Sequence, residues 1–174
     1  VIDRAGRAAT ASDPAELAEL LKRRHATFMA GRPNLKPGTY KDKNNFVSTT
    51  AFVDHGYVEG TMSRALHDAA SVPAGFCRAV YMMIVVAEVH PCLDGNGRAA
   101  RLMMNAELSA EGLCRIVIPT VIRNEYILGL RRFTNTGNID AVIRILDHCW
   151  RWTHSVPWTS AEATDAYLTT TNAF

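Results

Sequence analysis

The chain has 174 residues, of which 48% are hydrophobic, and a formal net charge of +2. This length fits one compact domain with its own core, and the apolar content excludes a wholly disordered chain. The charge is close to neutral, so it gives no indication of a nucleic acid or a membrane surface as a partner.

The cysteines bear on the cellular compartment of the protein, and the first residue bears on whether the chain is a fragment. No cysteine spacing is typical of a zinc site, and most cysteines lie in apolar stretches, which favours reduced, buried thiols over disulfides. We therefore expect a cytoplasmic protein, with a secreted effector as the alternative. The longest apolar run, 79–87, is too short to span a bilayer. The sequence begins at Val1 rather than Met, so we expect a fragment or a processed chain.

The N-terminal third predicts a helix followed by an extended segment. Residues 1–13 are small and polar, and we expect them to be loose. Asp13 and Pro14 favour a helix start, because Asp caps free N–H groups and Pro fits the first turn. Leucines at helical spacing continue this helix to about Gly31. The stretch 39–52 is rich in Thr, Asn, Val, Tyr and Phe, which predicts a short irregular hairpin, with a surface loop as the alternative.

The rest of the chain predicts helices. The segment 75–89 is apolar on nearly all sides, as in a buried central helix, and His90-Pro91 ends it. Further helices are predicted at 57–69, 96–113, 119–133 and 139–152. In the polar tail, 155–174, we expect at most one short helix. The predicted fold is mainly α, a single-domain helical bundle over residues 14–154 with a small β-hairpin.

The strongest chemical signal comes from consecutive residues, His-Pro-Cys-Leu-Asp-Gly-Asn-Gly-Arg-Ala-Ala-Arg, which occupy positions 90–101. Gly95 and Gly97 let the backbone approach a ligand closely, and the helix that begins there offers free N–H donors. Together these features predict an anion site. Arg98 and Arg101 share one face of that helix and suit a polyphosphate.

Two more side chains in the stretch complete a reaction centre. Asp94 would repel phosphates unless a hard cation lies between them, so this carboxylate is predicted to bind Mg²⁺. His90 is able to accept a proton from a hydroxyl near neutral pH. Taken singly, these residues have plainer explanations, such as a helix cap, a turn or a solvated face. In combination they form the components of in-line phosphoryl or nucleotidyl transfer.

This stretch resembles the signature of the Fic family, H-P-F-x-[DE]-G-N-G-R-x-x-R, with Cys92 in place of the Phe. The resemblance extends from Pro37 to about Arg144. It implies a Fic-type helical bundle and a protein adenylyltransferase, which transfers AMP from ATP to a Tyr, Thr or Ser hydroxyl of a target protein. We expect nearby Met or Phe side chains to fill the space that Cys92 leaves, and a redox role for this thiol is the alternative.

The resemblance also implies catalytic roles for the matching residues of the motif. His90 would be the general base for the target hydroxyl. Asp94 would hold Mg²⁺ between the α- and β-phosphates. Asn96, with the N–H groups around Gly95 and Gly97, would stabilise the α-phosphate as charge builds on it.

Nucleotide and target contacts are implied in the same way. Arg98 would hold the outer phosphates during transfer, and Arg101 the γ-phosphate. Tyr126 matches a position that lines the adenine pocket in the family, and Asn135 matches another if one residue is skipped. The segment 38–47 would be the flap, which pairs with the backbone of the target and presents its hydroxyl.

Regulation and rival functions stay open at this point. Fic enzymes are commonly inhibited by a motif [ST]-x-x-x-E-[GN], whose Glu pairs with the second Arg of the signature. Ser12 and Glu16 have this spacing, but Leu17 follows, so we expect the inhibitory helix upstream of Val1, on a separate antitoxin, or not at all. The alternatives to AMP transfer are AMP removal, transfer of phosphocholine or another nucleotide, and a non-catalytic nucleotide-binding module. The remaining histidines, His25 among them, are scattered and predict no metal site.

Overall fold

The computed structural model describes residues 10–173, so most of the loose segment predicted for 1–13 lies outside the described residues. The described chain is mainly α-helical and contains one two-stranded antiparallel sheet. It forms two compact units, divided between Leu113 and Cys114. The predicted catalytic domain, 14–154, therefore includes parts of both units.

The N-terminal unit contains the hairpin and the first helices. Its elements are α1 (Pro14–Met29), β1 (Phe46–Val47), β2 (Thr50–Ala51), α2 (Val58–Asp68), α3 (Phe76–Val89) and α4 (Asn96–Ala110). The main packing contact joins α3 to α4, while α1 packs against α2 and α4. Methionines from α2, α3 and α4 fill much of this core, and all are almost fully buried: Met62, Met82, Met83, Met103 and Met104.

Local signals in the sequence account for the helix ends near the motif. The Asp13 carboxylate accepts a hydrogen bond from the Glu16 N–H, with N···O 2.9 Å, and so caps α1 as predicted. Helix α3 is buried along most of its length, which confirms the predicted central helix. It ends at His90, whose left-handed backbone (φ 52°, ψ 57°) turns the chain into the motif loop before Pro91.

The hairpin lies within 39–52, where the sequence predicts it, and towards the end of that stretch. Phe46 pairs with Ala51 and Val47 pairs with Thr50, around a turn in which Ser48 has φ 56°. The predicted flap range therefore overlaps the paired residues only at 46 and 47. Residues 38–45 form turns, bends and coil instead, and two of their groups, the Lys41 N–H and the Asn45 side chain, bind carbonyls of the motif loop.

The C-terminal unit contains α5 (Arg123–Thr136), α6 (Asp140–Ser155) and α7 (Ala161–Thr170). Pro119 precedes a short 3₁₀ turn, Thr120–Ile122, so α5 begins later than predicted. It also continues past Phe133 and ends at Gly137, which adopts φ 70°. Helix α7 is the short helix expected in the tail.

Candidate active site

The motif forms the connection between the two central helices of the N-terminal unit. His90 lies at the C-terminal end of α3, and α4 begins at Asn96 directly after Gly95, which has φ 79°. The first N–H groups of an α-helix have no partner within the helix, which at α4 applies to Asn96 and Gly97. The loop therefore combines a histidine side chain with the anion-binding end of a helix.

The Asn96 side chain holds this loop closed. Its Nδ2 donates to the Cys92 carbonyl and its Oδ1 accepts from the Cys92 N–H, both at 2.8 Å, and the residue is 1% exposed. Because both ends of the amide are engaged, the side chain shapes the loop and does not point at a ligand. The phosphate contacts expected of Asn96 are therefore open only to its main-chain N–H in this conformation.

The hydrogen bond of His90 determines which ring nitrogen can act as a base. Nδ1 lies 3.1 Å from the Ala87 carbonyl oxygen, which can only accept, so Nδ1 carries the proton in the neutral ring. Nε2 is then the atom with a free lone pair. Burial lowers the pKa of His90 below its ordinary value of 6.5, and the positive charge of Lys41 lowers it further. The imidazole is therefore mostly neutral at pH 7.

Asp94 offers one carboxylate beside the helix start. Its Oδ1 accepts from the Gly95 N–H at 2.7 Å, and its Oδ2 lies 2.6 Å from Nη1 of Arg32. The side chain is 45% exposed, and a cationic group already contacts it, so the position suits a cation electrostatically. Across residues 10–173 no three His, Cys, Asp or Glu side chains form a metal-binding group. Mg²⁺ at Asp94 would have to displace Arg32 from Oδ2 and take its other ligands from phosphate oxygens and water, so the Mg²⁺ site stays a prediction.

Helix α1 also supports the loop, through a residue that no pattern in the sequence singles out. His25 is fully buried, its Nδ1 accepts from the Gly38 N–H, and its Nε2 lies 2.9 Å from the Asp94 carbonyl oxygen. An N–H can only donate and a carbonyl can only accept, so the proton of this imidazole is on Nε2. His25 therefore links the turn at Gly38 to the loop at Asp94. The two bonded residues are far from His25 in sequence, so no local pattern predicts the link.

The two arginines of the motif lie in the first turns of α4. The Arg98 guanidinium lies 4.9 Å from the centre of the Phe28 ring, and its Nη2 is 3.1 Å from Sδ of Met29, so α1 also supports this side chain. Arg101 lies near Gly97, within 3.6 Å of where a β-carbon at that glycine would be. The ion pairs among the described residues involve neither arginine.

Cys92 is a packing residue. It is 1% exposed, and burial raises the pKa of its thiol to about 12. The thiol therefore stays protonated at neutral pH, and since the thiolate is the reactive form, its surroundings give no support to the redox alternative.

The predicted adenine-pocket residues lie on α5, in the C-terminal unit. Tyr126 is buried and Asn135 is exposed. Nine residues separate them, which at about 100° per residue places them on opposite faces of the helix. Adenine contacts by these two residues stay predictions. The one-residue gap that Asn135 requires makes it the weaker of the two.

The family follows from comparison with known proteins. The sequence profile of the Fic/DOC family matches residues 15–108, which is more than half of the chain. The chain is a member of the Fic/DOC family. This confirms the resemblance that the motif predicts.

Curated relatives within the family are similar over limited parts. The protein adenylyltransferase Fic of Drosophila yakuba is 32% identical over 83 residues, which are 48% of this chain and 16% of that protein. The protein of the same name from Drosophila willistoni is 29% identical over 137 residues, or 79% of this chain and 24% of that protein. The chain thus spans about a quarter or less of the length of these relatives.

Solved structures of Fic proteins share the fold. Fic-1 (residues 134–508) from C. elegans superposes with a TM-score of 0.67 at 18% identity, covering 89% of this chain and 44% of that one. A Fic-domain signalling protein from Bacteroides thetaiotaomicron gives a TM-score of 0.65 at 16% identity, covering 87% and 63%. The predicted mainly α Fic-type fold is therefore confirmed. Within residues 10–173, no helix has both the length and the apolar character needed to cross a bilayer.

Proposed function

We propose that this chain transfers AMP from ATP to a Tyr, Thr or Ser hydroxyl of a protein target, with His90 as the general base. The observation that carries the proposal is the His90 ring. Its Nδ1 is engaged by the Ala87 carbonyl, which leaves Nε2 able to accept a proton beside the N-terminus of α4. Membership of the Fic/DOC family and the names of the curated relatives support the same reaction.

The reaction would proceed in line at the α-phosphorus. Nε2 of His90 takes the proton of the target hydroxyl, and the hydroxyl oxygen forms a bond to that phosphorus. The bond from the α-phosphorus to the bridging oxygen breaks, and pyrophosphate leaves. Asp94 would hold Mg²⁺, which supplies positive charge to neutralise the phosphate oxygens.

Phosphate binding would use the start of α4. The N–H groups of Asn96 and Gly97 point toward a ligand at the helix end and stabilise charge on the α-phosphate, while Asn96 keeps the loop closed. Arg98 and Arg101 would bind the β- and γ-phosphates, since neither guanidinium is neutralised by a carboxylate among the described residues.

The target would bind at the hairpin. Phe46 is 65% exposed and Val47 is 50% exposed, so this short sheet presents apolar side chains and unpaired backbone groups to solvent. An extended segment of the target could add to this edge as a further strand, which would place its hydroxyl near His90. Inhibition, if it occurs, needs a carboxylate for Arg101 from upstream sequence or from a separate protein.

Labelling with two forms of ATP tests the reaction. We expect α-³²P-ATP with Mg²⁺ to label the chain itself or a protein in a lysate, and γ-³²P-ATP not to do so. His90→Ala should lower labelling by at least about a hundredfold, because a positioned base contributes that much. His67→Ala is the matched control, since His67 is exposed at the end of α2 and should label normally.

Each rival function gives a different result. Labelling from γ-³²P-ATP alone would indicate phosphoryl transfer instead of AMP transfer. Loss of label from a target that already carries AMP would indicate AMP removal. ATP binding without labelling would favour a non-catalytic nucleotide-binding module.

A further inference from the structure

The segments on both sides of the hairpin contact the first residues of the motif through hydrogen bonds and ring stacking. Ahead of β1, the Lys41 N–H donates to the Pro91 carbonyl and Nδ2 of Asn45 donates to the Cys92 carbonyl, each at 2.8 Å. Directly after β2, the Phe52 ring stacks on the His90 imidazole, with 3.8 Å between the ring centres and 14° between the planes. The hairpin therefore connects to three consecutive residues, beginning with the proposed base.

The bonds ahead of β1 belong to a network that also holds the loop. Oδ1 of Asn45 accepts from Nζ of Lys41 at 2.7 Å, and Lys41 is only 3% exposed. The Cys92 carbonyl that accepts from Asn45 also accepts from Asn96. A shift of the hairpin would therefore break hydrogen bonds of buried or half-buried groups, which is costly when no water replaces them.

Phe52 supplies the constraint on His90 that a hydrogen bond alone does not. The bond from Nδ1 to the Ala87 carbonyl fixes the direction of one ring nitrogen. The imidazole can still rotate about that bond, because a single hydrogen bond allows a range of orientations of the ring plane. A stacked ring at 3.8 Å fixes the plane and covers one face. Together the two contacts determine where the lone pair of Nε2 points.

We infer that Phe52 is a positioning residue for His90. Through the contact between the two rings, the hairpin and His90 form one rigid unit. The hairpin binds the target, and His90 activates the target hydroxyl. This inference rests on the proposed function, because it gives both the hairpin and His90 their tasks. Its consequence is that a target strand paired with the hairpin is held in a fixed register to Nε2. Displacements of about 1 Å at a reacting group can cost up to roughly a hundredfold in rate.

The first test needs neither ATP nor a target. In the chain labelled with ¹⁵N-histidine, the two ring nitrogens of neutral His90 should show one proton-bearing Nδ1 and one bare Nε2. Phe52→Leu should draw the two ¹⁵N shifts toward each other, as tautomers mix in a ring that is free to rotate, and Phe52→Tyr should restore the wild-type shifts. Phe76→Leu is the matched control. Phe76 is also half-buried, but it lies at the opposite end of α3, about 20 Å away along the helix axis.

The second test measures labelling. Phe52→Leu should lower kcat by roughly tenfold to a hundredfold, while KM for ATP stays within about twofold, because the change affects the base and not the phosphate site. Phe52→Tyr should keep most of the activity. Asn45→Ala tests the other side of the hairpin and leaves Phe52 in place. If Phe52→Leu does not fold, the ¹⁵N shifts of His90 in Asn45→Ala decide the question: they should move toward each other if the hairpin holds Phe52 against the ring, and unchanged shifts would contradict this.

The results separate this inference from the proposed function. If the wild type does not label any protein, the proposed function fails and the ¹⁵N shifts still decide whether Phe52 positions His90. If the wild type labels, and Phe52→Leu matches Phe76→Leu in both ¹⁵N shifts and kcat, the positioning role is overturned while the function stands.

Discussion

Replacing Gly95 with alanine should destabilise the N-terminal unit for two separable reasons. Gly95 has φ +79°, a conformation that costs a residue with a β-carbon about 1–2 kcal/mol. The new methyl group would also lie 3.0 Å from Cε2 of Phe28 and 3.1 Å from Sδ of Met29. Overpacking of this kind typically costs about 1–3 kcal/mol. We therefore expect Gly95→Ala to lower the free energy of unfolding by about 2–5 kcal/mol.

Gly112 provides the matched control for the backbone part of this cost. It has φ +69°, and a β-carbon there would meet no atom within 4 Å. Gly112→Ala should therefore lose only about 1–2 kcal/mol. The difference between the two variants, about 1–3 kcal/mol, measures how tightly α1 packs against the motif loop.

Urea unfolding followed by far-UV circular dichroism is the assay. Both glycines lie in the N-terminal unit, so the same transition reports on both variants. Equal losses in the two variants, within the usual scatter of about 0.5 kcal/mol between independent sites, would contradict a packing cost at Gly95. That outcome would mean that Phe28 and Met29 of α1 move to make room for the added methyl group, so that α1 packs loosely against the motif loop.

Two further predictions concern the site itself. Gly97→Ala should leave the free energy of unfolding unchanged or slightly higher, because the nearest atom to a new β-carbon is Nη1 of Arg101 at 3.6 Å and Ala favours helix. It should nevertheless weaken ATP binding by at least roughly tenfold, since the methyl lies at the start of α4 where phosphate would approach; unchanged affinity in a calorimetric titration would contradict the anion site. The pH dependence of labelling should follow His90, whose protonated ring cannot accept a proton. Because its pKa is lowered, the acidic midpoint of kcat/KM should lie below pH 6.5, and a midpoint at or above 6.5 would contradict the proposed base.

Elements whose signals are local could be predicted from the sequence alone. Asp13 and Pro14 place the start of α1, the apolar segment before His90 forms the central helix, and the glycines at 95 and 97 mark the turn into α4. The motif could be interpreted because its chemistry is carried by twelve consecutive residues, 90–101. Neighbours in a chain stay neighbours in any fold, so their combination was visible without a structure.

The contacts that hold the motif are visible only in the folded chain. His25 binds the Asp94 carbonyl across 69 residues of sequence, and Asn45 binds the Cys92 carbonyl across 47. The packing of the hairpin brings the Phe52 ring onto His90. The paired strands lie at 46–51, in the second half of the predicted stretch 39–52, since residues before them bind the loop. Such contacts depend on where α1 and the hairpin settle against α3 and α4, and that position is set by the burial of the whole core rather than by any short pattern.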